Sequence, residues 1–329
     1  MAEVGTTLIV GSRVKGRASR TAPSRLLTAY CLLLTIAGCN RGLPQHDGAS
    51  FAVSGDGKTV AWTTGSGSNN ILRVQKDGKV LEVSSGKYHE GPTLSPDSKT
   101  VVVATGSNFR SRLEIVSIDI ATSKKTTLVR ADDRSNSMPS LSPDGKFLAF
   151  IRAAKPKSQS MGGVQWGEFD VYLAQPDGTE DAALTTTKYV RATAPRWSSD
   201  SKRVVFSALD LEGRWWTQEI DVDTKKVLRK IEGKNNESMP TFVGDRIAIV
   251  SDREKAGRYR VGFVDSAGAF EPIVAEEGYF LDLQEAGGKL YALEDVTHKM
   301  RFRISEIDPT TGAIREVIPE SQFDEKVKP

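Results

Sequence analysis

Histidine and cysteine, on which most metal sites and many catalytic sites depend, are scarce in this chain of 329 residues. It contains two cysteines and three histidines, and the histidines lie far apart in the sequence. Neither a His-Glu-x-x-His pair, a Gly-x-Ser-x-Gly turn nor a glycine-rich phosphate loop is present. The sequence therefore predicts a protein with no metal site, no cofactor and no catalytic residues.

A long hydrophobic run is missing too, and the longest apolar stretch lies near the N-terminus. Five basic residues between positions 13 and 25 precede an apolar stretch at 26–37, which is too short for a comfortable membrane span. The segment Ile36-Ala-Gly-Cys39 follows and resembles the lipobox of bacterial lipoproteins, where the signal is cut before the cysteine and the thiol takes the lipid. An ordinary cleaved signal peptide with an incidental cysteine is the alternative.

This N-terminus predicts where the protein is found. We expect residues 1–38 to be a lipoprotein signal peptide, Cys39 to be the lipidation site, and residues 39–49 to be a short tether to the folded part. The expected location is the bacterial cell envelope, in the periplasm or at the outer membrane if the host is Gram-negative. Asn40 follows the cysteine, so no aspartate signals retention at the inner membrane.

An excess of charge of one sign is also absent. Residues 1–39 hold five of the 45 Lys and Arg side chains and one of the 42 acidic side chains, so the remainder has a net charge of only −1. No basic stripe with interleaved aromatic residues occurs, and we therefore expect no nucleic-acid partner. Because Cys31 lies in the predicted signal, the processed chain has no cysteine pair for a disulfide.

What the chain does have is a phrase that recurs. Its clearest copy runs from Pro139 to Arg152 and reads Pro-Ser-Leu-Ser-Pro-Asp-Gly-Lys-Phe-Leu-Ala-Phe-Ile-Arg. The aspartates of successive copies are 41, 47, 56 and 45 residues apart, a spacing typical of propeller blades. These aspartates are Asp56, Asp97, Asp144, Asp200 and, in a contracted copy, Asp245.

Each phrase predicts two strands joined by a tight turn. Proline presets φ, aspartate bonds backbone amides, and glycine adopts positive φ at little cost, so the aspartates are expected to be structural. Two further strands follow each phrase, and a divergent sixth unit has the same succession of strands without the Ser-Pro-Asp-Gly turn. We therefore predict an all-β chain, a six-bladed β-propeller of four-stranded antiparallel blades over residues 50–319. Each blade should be contiguous in sequence, and residues 320–329 should form a C-terminal tail.

The repeated phrase resembles the repeat of TolB-like propellers, which are relatives of the WD repeat. The segment Val250-Ser-Asp-Arg253 at the end of the fifth copy also resembles the corresponding sequence in that family. The resemblance spans about residues 50–319 and implies a bacterial periplasmic or surface propeller that binds other proteins. The same type of propeller also occurs as the non-catalytic part of prolyl-oligopeptidase-like peptidases.

Loops on one face of such a ring are the predicted binding site. The loops that lead into the inner strands and those that join second and third strands share a face, and the insertion at 153–168 should lie there as a long loop. A polar rim with aromatic residues suits protein or peptide partners. The candidate partner-binding residues are His89, Glu90, Arg134, Asn136, Lys155, Trp166, Arg191, Glu237 and Tyr279.

These observations favour a non-enzymatic envelope lipoprotein, a scaffold or adaptor whose rim binds envelope proteins or peptides. It would be held at the membrane by its lipid and would act as a monomer. A sensor lipoprotein that binds a small ligand or carbohydrate is the first alternative. A stand-alone propeller hydrolase or lyase is the second alternative, and it would require convergent acids, histidines or a metal at the floor of the ring.

Overall fold

The computed structural model describes residues 49–64, 70–108, 111–160, 163–297 and 300–323, with the backbone alone at 155–160 and 163–165. The predicted signal peptide, Cys39 and nearly all of the tether lie outside the described residues. The described elements are 24 strands and one helical turn, α1 (Glu320–Phe323), and every strand pairing is antiparallel. The all-β class is thus confirmed. Within the described residues, no helix has the length and hydrophobicity to cross a membrane.

The first sheet has seven strands in sequence order. They are β1 (Ser50–Val53), β2 (Val60–Thr64), β3 (Asn70–Lys76), β4 (Lys79–Leu94), β5 (Thr100–Gly106), β6 (Glu114–Asp119) and β7 (Lys125–Val129). The 16-residue strand β4 pairs with β3 as far as Lys87 and with β5 from Tyr88 onward. Near the end of its first half, Gly86 has a φ of 73°, which glycine adopts easily. Two predicted blades therefore share one continuous strand.

The other four sheets are smaller. The second holds β8 (Ser135–Leu141), β9 (Leu148–Ser160), β10 (Gly163–Ala174) and β11 (Ala182–Ala183). The third holds β12 (Arg191–Ala192), β13 (Arg196–Trp197), β14 (Arg203–Leu209), β15 (Trp215–Asp221) and β16 (Val227–Ile231). The fourth holds β17 (Glu237–Val243), β18 (Arg246–Ser251), β19 (Arg260–Val264) and β20 (Phe270–Pro272). The fifth holds β21 (Phe280–Ala286), β22 (Lys289–Asp295), β23 (Phe302–Ile307) and β24 (Ile314–Ile318).

The first strands of the repeats form a closed cycle, as in a propeller. β1 contacts β4, β4 contacts β8, β8 contacts β13, β13 contacts β17, β17 contacts β21, and β21 contacts β1. The apolar core is divided into clusters that lie between neighbouring sheets. One cluster, for example, joins Val205 of the third sheet to Phe242 and Ile247 of the fourth. These inner strands begin at one end of the sheets, and we call this end the rim face.

The recurrent Ser-x-Asp turn repeats the same hydrogen bonds. In each of four copies the serine hydroxyl donates to the aspartate at 2.6 Å, and the backbone N–H of the following lysine donates to it at 3.1–3.2 Å. These donors hold the pKa of Asp144 below its ordinary value. Asp245 differs, because its copy lacks the serine; its carboxylate is 96% exposed and accepts from Arg203 at 3.0 Å.

The chain end lies against both the last and the first sheet. Residues 320–323, assigned to a tail from sequence, form α1, and Phe323 is fully buried. Its ring centroid lies 5.5 Å from that of Phe302 and 6.5 Å from that of Trp62. Its carbonyl accepts from Trp62 Nε1 at 3.2 Å and from Arg73 Nη1 at 3.0 Å. Residues 324–329 and 41–48 lie outside the described residues.

We expect Asp144→Ala to lower the free energy of unfolding by roughly 0.5–2 kcal/mol, as the loss of a capping side chain does. Asp245→Ala is the matched control, because an exposed ion pair contributes little, and its effect should stay within about 0.5 kcal/mol. Urea unfolding at pH 7 measures both values. Equal effects from the two variants would contradict the structural role of the Ser-Asp turn.

Phe323→Ala should cost roughly 3–5 kcal/mol of unfolding free energy, because it removes a fully buried ring from the contact between the first and last sheets. Leu228→Ala, at a side chain that is 53% exposed, should change it by about 0.5 kcal/mol or less. Thermal and urea unfolding of both variants are the measurements. A Phe323→Ala protein as stable as the wild type would show that α1 does not hold the two sheets together.

Candidate functional site

The nine predicted rim residues differ widely in exposure. Arg134 and Arg191 are exposed, whereas Glu90, Trp166 and Tyr279 are half-buried. His89, Asn136 and Glu237 are 1%, 0% and 0% exposed, and the side chain of Lys155 lies outside the described residues. The structure thus places three of the nine inside the fold. Each of the three stands third before the proline of its repeat, where the inner strand directs the side chain inward.

His89 lies in a chain of polar side chains where the two halves of β4 meet. Its Nε2 is 2.8 Å from Ser84 Oγ, its Nδ1 is 3.1 Å from Asn70 Oδ1, and Asn70 Nδ2 donates to the His89 carbonyl at 2.6 Å. Lys125 Nζ donates to Ser84 Oγ at 2.6 Å. Burial, with the nearby charge of Lys125, lowers the pKa of His89 from 6.5 to about 4. The imidazole is therefore neutral at pH 7 and is committed to internal contacts.

Asn136 positions the buried side chain of Arg152 by a hydrogen bond. Arg152 Nε donates to Asn136 Oδ1 at 2.8 Å, and both terminal nitrogens of Arg152 donate to the Asp181 carboxylate at 2.7 and 2.8 Å. The guanidinium also lies 4.4 Å from the ring centroid of Tyr172. A cleft of about 260 Å³ lies beside this pair and is partly lined by residues 128–134. Arg152 and Asn136 therefore fix the start of β8.

Glu237 plays the corresponding part in the fourth sheet. Its Oε1 accepts from Arg253 Nε at 2.9 Å, and Arg253 Nη1 donates to the Gly268 carbonyl at 2.6 Å. Burial raises the pKa of Glu237, and the Arg253 guanidinium opposes that rise. A Cβ at Gly233 would lie 2.0 Å from Glu237 Oε1, so any larger residue there would displace the carboxylate. Sequence reasoning placed Glu237 on the rim but missed Arg253 as its partner.

A second feature that the sequence analysis missed is the cross-bonding between inner strands. Arg196 of β13 reaches Asp282 of β21, two sheets further on, with Nη2–Oδ distances of 2.6 and 2.7 Å. The two side chains are only 11% and 16% exposed. Gln284 of β21 accepts from the Val53 N–H at 3.1 Å and donates to the Phe51 carbonyl. These bonds join strands far apart in sequence, so no local pattern predicts them.

The insertion at 153–168 is a two-stranded extension and not a loop. β9 and β10 remain paired from Leu148–Ala174 to Ser160–Gly163, whereas β14 and β15 in the next sheet have seven residues each. The neighbouring strand β8 pairs only as far as Ala153. We call residues 154–160 and 163–168 the ribbon. Its base is fixed by Trp166, whose Nε1 donates to the Ser111 carbonyl at 3.2 Å.

Within the described ranges, no group of three His, Cys, Asp or Glu side chains is arranged to hold a metal ion. Burial raises the pKa of Glu90, whose carboxylate accepts from the Tyr88 hydroxyl at 2.6 Å. Tyr279 packs edge-on against Tyr259 with ring centroids 6.2 Å apart. Of the predicted rim residues whose side chains are described, Arg134 and Arg191 are therefore the exposed ones.

His89 should make folding pH-dependent. Its pKa is about 4 in the folded protein and has the ordinary histidine value of 6.5 in the unfolded chain, so the unfolded chain takes up the proton first as the pH falls. Stability should therefore be lost between pH 6.5 and 4, by roughly 3 kcal/mol from this group at pH 4. His89→Gln should remove that part of the pH dependence, while the exposed Lys58→Gln should keep it. Parallel stability–pH curves for His89→Gln and the wild type would contradict the assignment.

Solved structures of known proteins share this arrangement. TolB from Acinetobacter baumannii superposes with a TM-score of 0.61 at 19% sequence identity, over 82% of this chain and 65% of that one. A putative TolB from Agrobacterium tumefaciens gives 0.59 at 17% identity, over 72% and 83%. A puromycin-hydrolyzing peptidase from Mycobacterium tuberculosis gives 0.54 at 15% identity, over 84% and 54%. The chain thus spans just under two thirds of the Acinetobacter protein.

No protein-family model matches the sequence, and no curated protein matches it either. At identities of 15–19%, the structural likeness shows the fold and not the activity. The neighbours include TolB proteins as well as a peptidase. What the comparisons establish is an all-β, propeller-like fold whose structural neighbours are TolB-like propeller proteins.

Proposed function

We propose that this protein is a non-enzymatic, lipid-anchored envelope protein whose rim face binds protein or peptide partners. The observation that carries the proposal is the ribbon. It continues the second sheet beyond its neighbours, and in the described part of the chain no other strand pairs with it beyond the Ala153–Phe169 pair. Loops and extensions on a rigid scaffold commonly carry binding functions.

The surroundings of the ribbon support this reading. Arg134 and Arg191 are exposed on the same face, and Asp132, Asp133 and Lys188 add charge of both signs. Interfaces that form transiently are polar at the edge and are often centred on aromatic residues. Trp166, half-buried at the ribbon base, is the aromatic residue placed to serve as such a centre.

We also propose that the strands form six blades. The first sheet contributes two blades if β4 is divided between its pairing with β3 and its pairing with β5. In the third sheet, β12 and β13 both pair with β14 and together take the place of one inner strand. The closed cycle of inner strands, from β1 through β4, β8, β13 and β17 to β21, then has six members.

The anchoring part of the proposal rests on Cys39 and on chain length. Ten residues from Cys39 to Ala49 reach at most about 35 Å when fully extended, so the propeller would stay close to the membrane. Two or more acyl chains on one cysteine would make that attachment stable. Such a protein works in the bacterial envelope, at the outer membrane where the host has one.

The proposal is tested by shortening the ribbon. Replacing residues 155–167 by Asn-Gly should close a two-residue hairpin between Ala154 and Glu168 and keep the Ala153–Phe169 pair. We expect melting within about 2 °C of the wild type, since the core clusters are untouched, and a loss of partner capture from envelope extracts of cells that express the acylated chain.

The matched control is Glu212→Ala in the loop between β14 and β15, which is exposed on the same face. It should retain both stability and capture. In the same cells, Cys39→Ser should move the protein to the soluble fraction. Capture unaffected by ribbon removal, or a hydrolytic turnover by the purified protein, would refute the binding-scaffold function.

A further inference from the structure

We propose that the outer edge of β10 in the ribbon, from Gly163 to Gly167, accepts an extended peptide segment of a partner protein as an added antiparallel strand. This inference rests on the proposed function and states how recognition takes place. An edge strand exposes unpaired N–H and C=O groups, which an incoming chain can bond. The recognition would therefore depend on main-chain hydrogen bonds of β10 more than on its side chains.

The hydrogen bonds at the ribbon base determine which groups point outward. Phe169 N–H donates to the Tyr189 carbonyl at 3.0 Å, and Tyr189 N–H donates to the Phe169 carbonyl at 2.9 Å. Phe169 therefore uses its backbone groups on the side away from β9. Glu168 has a φ of 57°, so the alternation of the strand is interrupted there. Gly167 pairs with Lys155, and because Pro156 has no N–H, these two residues must exchange hydrogen bonds directly, which turns the backbone groups of Gly167 toward β9. The extra residue of the bulge lies on β9, so the alternation then continues along β10 and directs the backbone groups of Trp166 and Val164 away from β9.

The position beside β10 is already used as a strand position at the ribbon base. Tyr189 occupies it at Phe169, and the chain then turns away to pair Arg191 with Leu209 of β14. An added strand would continue from where Tyr189 leaves. The partner thus extends an existing antiparallel pairing and does not have to begin a new one.

The two edges of the ribbon differ in sequence, and this difference selects β10. The β9 edge carries Lys155, Pro156 and Lys157, and both proline and lysine are residues that block strand addition at exposed edges. The β10 segment 163–167 reads Gly-Val-Gln-Trp-Gly and has neither proline nor charge. Glycines at 163 and 167 leave room for close approach of another backbone.

Charge indicates the composition of the partner segment. Arg191 is exposed where the added strand would start, whereas Lys188 is paired with Glu168 at 3.4 Å. Lys155 and Lys157 add two cations to the ribbon sequence. The partner segment is therefore an extended stretch of an envelope protein that carries acidic residues, which suit these cations.

The experiment places a photo-crosslinking benzoylphenylalanine in the full-length, acylated chain in its own envelope. Positions 165 and 163 report on the β10 edge, position 158 on the β9 edge, and position 99 on the opposite face. We expect crosslinks to one protein from 165 and 163, at sites two residues apart, the site from 163 being closer to the partner's C-terminus, as an antiparallel strand requires. Yields from 158 and 99 should be about tenfold lower or less.

A second variant tests the main-chain bond. Val164→Pro removes one outward N–H and should reduce the crosslink yield from position 165 about tenfold, whereas Val164→Ala should leave it unchanged. Thermal unfolding checks that both variants fold. Sites that do not shift by two residues, crosslinks from 158 as strong as those from 165, or crosslinks to a second copy of this chain would overturn strand addition.

The same crosslinking separates this inference from the proposed function. If positions 134 and 191 crosslink to a partner but 163 and 165 do not, partner binding by the rim face holds and strand addition at β10 is wrong. If none of the four positions crosslinks, both are wrong.

Discussion

The structure depends on one contact, the packing of the first sheet against the last. A ring of sheets is stable only when its two ends meet, and the described residues contain no cysteine that could link them. Trp62 of β2, Phe302 of β23 and Phe323 of α1 share one buried cluster, and Gln284 adds bonds to the backbone of β1. The other interfaces between sheets follow the chain, whereas this one joins residues more than 200 positions apart. Its free energy must therefore outweigh the entropy of closing the largest loop in the molecule.

At the rim face, three of the residues predicted to bind partners instead have buried side chains that serve the fold. His89, Asn136 and Glu237 occupy the same position in three repeats. Each makes a hydrogen bond to a different kind of polar side chain, and these partners are Asn70, Arg152 and Arg253 respectively. Such buried groups are costly unless they are hydrogen-bonded, and here they hold the start of the inner strands in place. The ribbon, in contrast, is an extension that the repeat itself does not require.

The sequence predicted correctly those features whose contacts lie close together in the chain. The Ser-x-Asp turns were predicted correctly because the bonds that their serine and aspartate side chains make within the turn span no more than six residues, as at Ser142 and Asp144. The burial of His89 or Glu237 was not predicted, because Asn70 and Arg253, with which they bond, stand 19 and 16 residues away and no sequence spacing indicates these pairs. The length of the ribbon was evident from the irregular repeat spacing, but Lys155-Pro-Lys157 has low strand propensity, and pairing with β10 overrode it.

The continuous strand β4 makes the joints of the ring unequal. Where one strand belongs to two pairings, the adjoining halves cannot move apart unless its backbone bends or its hydrogen bonds break. The joints between later sheets are loops, which bend at lower cost, and the seam beside Phe323 has no covalent connection across it. Under denaturant or mechanical load, the ring should therefore open first at the seam and last at β4. In a hydrogen-exchange experiment, residues 50–129 should behave as one cooperative unit, while the backbone amides at the seam exchange with solvent earlier.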